Sequence, residues 1–508
     1  MRDSYDLVIV GGGGSGLAAG VSAAQQGASA LILEKCPFLG GTTGIAVGSF
    51  TASRTPHQQR AGVADSPDDH EEDAGRFGPP EYQARNNAPL RRYFLGRAAE
   101  TLLWLEKLGL TFHGPSPEPP NRVPRMHNVV PNAKAYVAVL QGRFLALGGD
   151  VLCRAKAEEL IHQEGRVTGV RVEAEGGRLE VRARRGVVLA AGDYANSALL
   201  IGQHKGREFT VVEGINPHST GDGHLLAQQA GAELVNMDLA YGPEIRFVPP
   251  VRKPFSQLLP ASGPAARLMG RLLPLVPEAL IRSMVKRLLV TWQHPEDSLF
   301  HHGAVLVNAR GRRFCNEKKT PEREIALAGQ PDKIGYILLD ERLAGLYSAW
   351  PHFISTAPEI AYGYLDDYRR IRPDITHLGQ SLEEAARAGG LDPEAVAGTV
   401  AEFNRYARGQ ADDPFGRSGD GEPLKGKRWV LLGPAKAYFT TTEGGVRINQ
   451  SCQALDQEGR PIPGLYAVGS NGLGGMVLWG HGLHIAWAIT SGRLVGQVLG
   501  GRGGPGQV

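Results

Sequence analysis

This 508-residue chain predicts an α/β fold interrupted by an inserted α+β domain, on three observations. Residues 5–34 run through an apolar strand pattern, a glycine turn, a small-residue helix and a second apolar strand pattern. Strand signals of that kind return near the end of the chain, in "GGVRINQ" and "GLYAVGS". Between them, residues 237–430 change texture to proline-punctuated loops and mixed helices. Two or three lobes are expected at this length. The division read is 1–236, 237–430 and 431–508, the outer two segments forming one domain and the middle one a cap.

Each element follows from its residues. "YDLVIV" is a buried strand, "GGGGSG" a turn, "LAAGVSAAQQG" a helix and "SALILE" a second strand, which together make one right-handed parallel βαβ unit. In the acidic run "DSPDDHEED", Asp68, Asp69, His70 and Asp73 could be imagined as metal ligands. The better reading is a helix start, with Ser66 as N-cap, Pro67 at the first position and acids facing the dipole. No metal is expected. "RRYFLGRAAETLLWLEKLG" is an amphipathic helix stopped by Gly109. "RVTGVRVEAEGGRLEVRAR" alternates as a hairpin about Gly176 and Gly177 that feeds the strand "GVVLAAG". The tail "GGRGGPGQV" is expected to fray.

Composition narrows the function. Lys plus Arg (55) nearly balances Asp plus Glu (52), so no bulk positive field is available for nucleic acid. Cys36, Cys153, Cys315 and Cys452 lie far apart without metal-ligand spacing, and the N-terminus carries no signal pattern. A cytoplasmic location is expected. The apolar stretch 267–292 is broken by Arg271, Glu278, Arg282, Lys286 and two prolines, too often for a membrane span. It has two readings: ordinary cap helices, or a peripheral patch at the inner membrane face, with Arg267, Arg271, Arg282 and Lys286 beside Leu272, Leu280, Met284 and Leu288.

The glycine turn carries the first chemistry. Gly11, Gly13 and Gly16 have the G-x-G-x-x-G spacing between a strand and a helix, and Glu34 ends the next strand where an acid meets ribose hydroxyls. "KCPFLGGTTGIAVGS" follows at once, and its small residues suit a cofactor that extends beyond a pyrophosphate. A flavin does so, and FAD is the cofactor expected. No second nucleotide fingerprint is present, so NAD(P)H is not expected to bind stably.

The ordered motifs "VIVGGGGSGLAAG", "LILEK", "GGTT", "VVLAAGDYAN", "STGDGHLLAQQAGAEL", "GAVLVNARGRRFCNE" and "GRPIPGLYAVGSNGLGG" resemble the flavoprotein family of fumarate reductase, succinate dehydrogenase flavoprotein and 3-ketosteroid Δ1-dehydrogenase. The likeness runs from residue 5 to about 495 and is weakest in the cap. It implies a Rossmann-like FAD-binding domain with an inserted α+β capping domain. It also implies hydride exchange between flavin N5 and a C–C bond next to a carbonyl. By position, Gly11, Gly13, Gly14, Ser15, Gly16, Glu34, Lys35, Gly41, Thr42 and Thr43 would hold FAD. Ala191, Gly192, Asn196 and Asp222 would add adenine-side or interdomain contacts, and Gly469 and Ser470 would lie by the ribityl chain.

Departures from the family sharpen the expectation. Leu39 stands where covalent members carry histidine, which implies non-covalent FAD. Thr441, "SNGLGG" and the displaced Arg323 replace the histidine and arginines that clamp a dicarboxylate. Leu478, with Trp479 beside it, replaces the tyrosine of ketosteroid dehydrogenases. In "GGMVLWGHGLHIAWAITSG", N–H groups near Leu483, His484 and Ile485 would meet the flavin pyrimidine, with Gly480 and Gly482 admitting the ring. His481 would face the substrate and move a proton. His484 would pack or touch flavin, Trp479 would be a wall and Trp487 core. Tyr241, Tyr362 and Tyr364 are further acid candidates, and Arg313 and Glu317 would organise the cap.

The function expected is dehydrogenation of a hydrophobic, ketosteroid-like ketone, with electrons passing to a quinone, a carrier protein or oxygen. Reduction of an α,β-unsaturated acid or enone is one alternative. A FAD-binding electron-transfer protein without its own small substrate is the other.

Overall fold

The computed structural model describes residues 2–252, 255–418 and 422–501. The expected fray at the end of the chain falls, from residue 502 on, outside them. The N-terminal strand Ser4–Val10 lies at the centre of a parallel sheet, between Ala30–Glu34 on one side and Gly177–Leu189 on the other. Asp150–Cys153 extends one edge and Pro461–Ala467 the other. The strands therefore read as near-continuous apolar runs, because helices cover both faces. Arg166–Ala174 and Gly177–Leu189 form the expected hairpin, and Ala155–Gln163 adds a third strand to it.

The glycine turn opens the helix Gly14–Gln25, which lies against the final helix Leu483–Gly500. The approach is close: a Cβ on Gly492 would stand 2.1 Å from the Ser15 carbonyl oxygen. Small residues in both helices are what allow it. Through this contact the last twenty residues described brace the first βαβ unit. The helix Ala88–Leu108 starts three residues earlier than its sequence pattern and ends on Gly109 in the left-handed region (φ 110°).

Strands Glu244–Phe247, Val305–Asn308, Gly335–Leu339, Thr376–Gly379 and Trp429–Phe439 make a second, mostly antiparallel sheet. Its core is separate from that of the first sheet. It draws on Tyr194–Val212 as well, ahead of residue 237, while Leu226–Ala232 return to the first core. Trp429–Phe439 likewise runs across residue 430. The chain thus crosses between cores more often than one insertion requires, because short segments follow whichever apolar face they can bury.

The acidic helix is a helix start and not a ligand set. Ser66 Oγ accepts from Asp69 N at 3.0 Å, and Asp73 is bound by Arg122 and Arg125. Arg313 and Arg417 both bind the buried Glu317, and Asp413 takes the other side of Arg313, which ties the cap together as expected. Arg323 is buried against Asp297 and Glu324. No described helix is long and apolar enough to cross a membrane.

Candidate active site

The first cradle is the glycine turn. Gly12 N and Cys36 N donate to the two oxygens of Glu34, at 2.9 and 2.8 Å, so the buried carboxylate is aimed before any ligand arrives. A Cβ on Gly13 would meet nothing closer than Gly40 O at 3.9 Å, which leaves space over the helix N-terminus. Gly14 N donates to Thr43 Oγ1 at 3.2 Å, and Thr42 Oγ1 accepts from Asn216 at 2.9 Å. Lys35 Nζ reaches Asp222 at 2.6 Å and Thr220 at 2.5 Å. Asn196 pins its loop through Gly214 and Asn216.

The second cradle continues toward the final helix. Gly192 and Ala191 follow the strand Gly177–Leu189, and Ala191 N donates to Asn471 Oδ1 at 3.4 Å. Asn471 is fully buried, yet its Nδ2 finds no acceptor among the described residues. Gly469 N donates to Ser491 Oγ, and Ser470 lies in the same turn Gly469–Gly472. Trp487, whose indole donates to Gly469 O and Gly472 O, is core as expected. Gly482 caps the last helix with φ 80°. The N–H groups of His484 and Ile485 meet no protein acceptor among the described residues. A buried donor without a partner, as at Asn471, is costly, and an elongated acceptor-rich ligand lying from Glu34 to Ile485 would satisfy it together with the two half-buried N–H groups. FAD fits that description.

A cluster that the sequence left dispersed gathers beside this cradle. Glu118, from the proline-flanked loop "PSPEPP", accepts from His481 N at 2.8 Å and from His481 Nδ1 at 2.5 Å. A carboxylate only accepts, so Nδ1 carries the proton and Nε2 is left for the cleft. Glu118 is buried, whereas 59% of the His481 side-chain surface is accessible. Surrounding protein bulk opposes the charge on His481, but the hydrogen bond and charge of Glu118 outweigh it and raise its pKa above the usual imidazole value.

One turn on, His484 Nε2 meets Glu443 at 2.9 Å, and Glu443 also accepts from Leu478 N. Burial again works to lower the imidazole pKa, and Glu443 more than offsets it. Tyr241 pairs across strands with Thr441, and its ring lies 4.8 Å from that of Trp479, which Tyr82 flanks from another side. Burial, with Glu244 adding to it, raises the Tyr241 pKa and keeps the phenol protonated. Arg246 is bound through Nε and Nη2 by Glu244, and its Nη1 donates to Trp292 O. Trp479 therefore packs against both Tyr241 and Tyr82, and Leu478 is fully buried.

The structure does not bring every candidate here. Tyr364 begins the helix Leu365–Ile371 under the Lys286 ammonium, and Tyr362 packs on Trp350 and Phe353. Both sit among cap contacts and not beside His481. Arg323 is consumed by cap ion pairs, so it does not replace a dicarboxylate clamp. Glu118, Glu244 and Arg246 were not singled out from sequence. Glu443 had a signal, an acid directly before paired glycines, whereas Glu118 had none.

A nucleotide cradle at the end of the first sheet, next to two histidine–glutamate pairs at the start of the last helix, is the arrangement of a flavoprotein. The chain belongs to the FAD binding domain family, whose pattern matches residues 6–251 and 273–480, and FAD is its cofactor. It is 28% identical over 476 residues to the NADH:fumarate oxidoreductase of Klebsiella pneumoniae, covering 92% of this chain but only 44% of that one. The chain thus spans less than half the length of that relative. It is 25% identical to the 4-oxocyclohexanecarboxylate 2-dehydrogenase of Sinomonas cyclohexanicum, with 99% and 94% of the two chains covered. Two solved structures share the fold. A flavocytochrome c3 fumarate reductase matches at TM-score 0.71 with 23% identity, over 98% of this chain and 78% of that one. The 3-ketosteroid Δ1-dehydrogenase of Sterolibacterium denitrificans matches at 0.62 with 19% identity, over 98% and 100%.

Proposed function

We propose that this flavoprotein oxidises a C–C bond next to the carbonyl of an uncharged, hydrophobic ketone, with His481 as the proton acceptor. One observation carries the choice of an uncharged substrate. The arginine whose charge is felt at His481, Arg246, is already paired with Glu244, while Glu118 and Glu443 add further negative charge. Among the described residues, a substrate carboxylate would meet no unspent cation there except the two imidazoles, each tied to its own glutamate. Tyr241, Trp479 and Tyr82 offer apolar ring surface instead, which suits a flat cyclic molecule. The similarity to a 4-oxocyclohexanecarboxylate 2-dehydrogenase supports oxidation beside a ring carbonyl, and not the absence of charge, since that relative's substrate carries a carboxylate.

When bound, FAD supplies the hydride acceptor. The work of the chain lies in the accompanying proton. Glu118 fixes the His481 ring and tautomer, so Nε2 can take a proton from the carbon next to the carbonyl. Loss of that proton and of a hydride from the neighbouring carbon leaves a conjugated double bond. The Tyr241 phenol, held protonated, can donate to the carbonyl oxygen as negative charge grows on it. Gly13, Glu34, Thr43 and Asn471 would hold the cofactor, and the N–H groups of His484 and Ile485 would be free to donate to it. Electrons then leave to a quinone, a carrier protein or oxygen.

A second reading, reduction of an unsaturated acid, is favoured by one feature: the charge of Arg246 reaches His481. Anaerobic mixing of the holoenzyme with cyclic ketones, keto-steroids and succinate-like acids separates the two. Bleaching of flavin absorbance by a ketone, and not by the acids, is the expected result. Silence with every saturated compound, together with rapid reoxidation of reduced enzyme by an unsaturated acid, would replace this reading with the second.

A further inference from the structure

The family pattern breaks at residues 252–272, where this chain builds a surface of its own. Helix Gly263–Leu272 and helix Glu278–Trp292, joined by the turn Leu273–Leu275, make a helix–turn–helix hairpin whose first helix packs on the strand Thr111–Ser116 and whose second packs on the cap. On the first helix, Arg267 and Arg271 make one exposed row and Leu268 and Leu272 another beside it, each at i, i+4. Leu275, 77% exposed in the turn, is followed on the second helix by the exposed Leu280 and Met284, with Arg287 one turn further on. Five large exposed apolar side chains in one short stretch of chain are unusual for a surface that stays free. Residues 252–292 hold seven basic residues and one acid, more than the whole net charge of +3.

The hairpin is tied to the active site from both ends. Gly270 packs on Thr111, where a Cβ would come within 2.5 Å, and the strand Thr111–Ser116 leads directly to Glu118, the partner of His481. At the other end, Trp292 O accepts from Arg246, and His294 approaches Glu244 at 3.8 Å. Lys286 is turned inward to Asp367, so it does not join the outer row. No ion pair among the described residues engages Arg267, Arg271 or Arg287.

We infer that this hairpin seats the protein on an anionic lipid bilayer, leucines in the interface and arginines at the headgroups, with the cleft above His481 opening beside the membrane. Charge selects this occupant. A second copy of the chain would bring the same arginine rows face to face, whereas an anionic headgroup layer neutralises them while the acyl boundary takes the leucines. An apolar substrate held in the bilayer would then reach the cleft without crossing water. The route rests on the proposed ketone reading; the seat itself does not.

The test is vesicle flotation of the holoenzyme without substrate, so that its outcome is separable from that of the substrate panel. Binding is expected to phosphatidylcholine vesicles containing phosphatidylglycerol, little to phosphatidylcholine alone, and with release at high salt. The pair Arg267→Glu and Arg271→Glu should weaken binding at least about tenfold, and the pair Leu272→Asp and Leu280→Asp should abolish it. Flavin absorbance and Tm, unchanged in both, show that the variants are folded. Absence of binding to anionic vesicles, or binding indifferent to both pairs, would overturn the seat. So would a dimer, seen by sedimentation, that binds no vesicles and is dissolved by the leucine pair.

Discussion

At His481 two opposed influences act on one imidazole: the protein around it disfavours charge, and Glu118 favours it more. Proton acceptance needs the neutral ring, so dehydrogenation should rise with pH up to a limb above the ordinary imidazole value of about 6.5, and the reverse reaction should fall across the same limb. Glu118→Gln removes the larger of the raising influences, so in that variant the limb should move to lower pH. The pH dependence of kcat/KM for the two proteins checks this, and an unmoved limb would separate Glu118 from the proton. His481→Gln should cost about 10²–10⁴-fold in kcat while leaving the flavin spectrum intact. A loss of flavin instead would make His481 part of the cofactor cradle.

At the scale of elements, the last helix depends on how its first turn begins. Gly482 takes a left-handed conformation, and a Cβ there would lie 2.7 Å from Thr51 Oγ1 and 3.0 Å from the Ser49 backbone. Gly482→Ala should therefore cost about 1–3 kcal/mol and tilt the His484 and Ile485 N–H groups away from the cofactor. Weaker FAD retention on dialysis, with a lowered midpoint in urea, is expected. Retention equal to wild type would mean that those N–H groups hold nothing. The Arg166–Ala174 hairpin and the helix Ala88–Leu108 are by contrast set locally, by alternation and by Gly109.

For the whole molecule, two buried charge arrangements bear on stability. Burial works to raise the Glu317 pKa, but Arg313 and Arg417 hold the carboxyl ionised below its usual range. Glu317→Gln leaves two buried guanidiniums short of a counter-charge and should destabilise the cap by roughly 3–5 kcal/mol, visible as a separate early transition in urea. His127 and His224 are both buried, and burial pushes each pKa down to about 4. Each is neutral in the folded protein and takes a proton on unfolding. Their contribution is therefore intact above the unfolded value near 6.5 and is lost as pH falls from there toward 4. Urea midpoints that stay flat over that window would contradict the burial of these rings.

The sequence by itself determined the first βαβ unit, the position of Glu34, the glycine cradle, the helix at 66–74 and the core role of Trp487. In each case the signal is local: spacing between neighbours, a turn that only glycine makes, a cap beside its helix. It also singled out His481, because flanking glycines and a helix start constrain one short stretch. Only the tertiary structure decided what that histidine is joined to. Glu118 lies 363 residues away in a loop without periodicity, and no pattern in either segment encodes their meeting. The same holds for Arg246, whose neutralisation by Glu244 argues against a carboxylate substrate, and for Tyr364, which chain order left as a candidate and cap packing carries elsewhere. Local physics writes elements into a sequence, whereas charges choose their partners only after the two cores have closed.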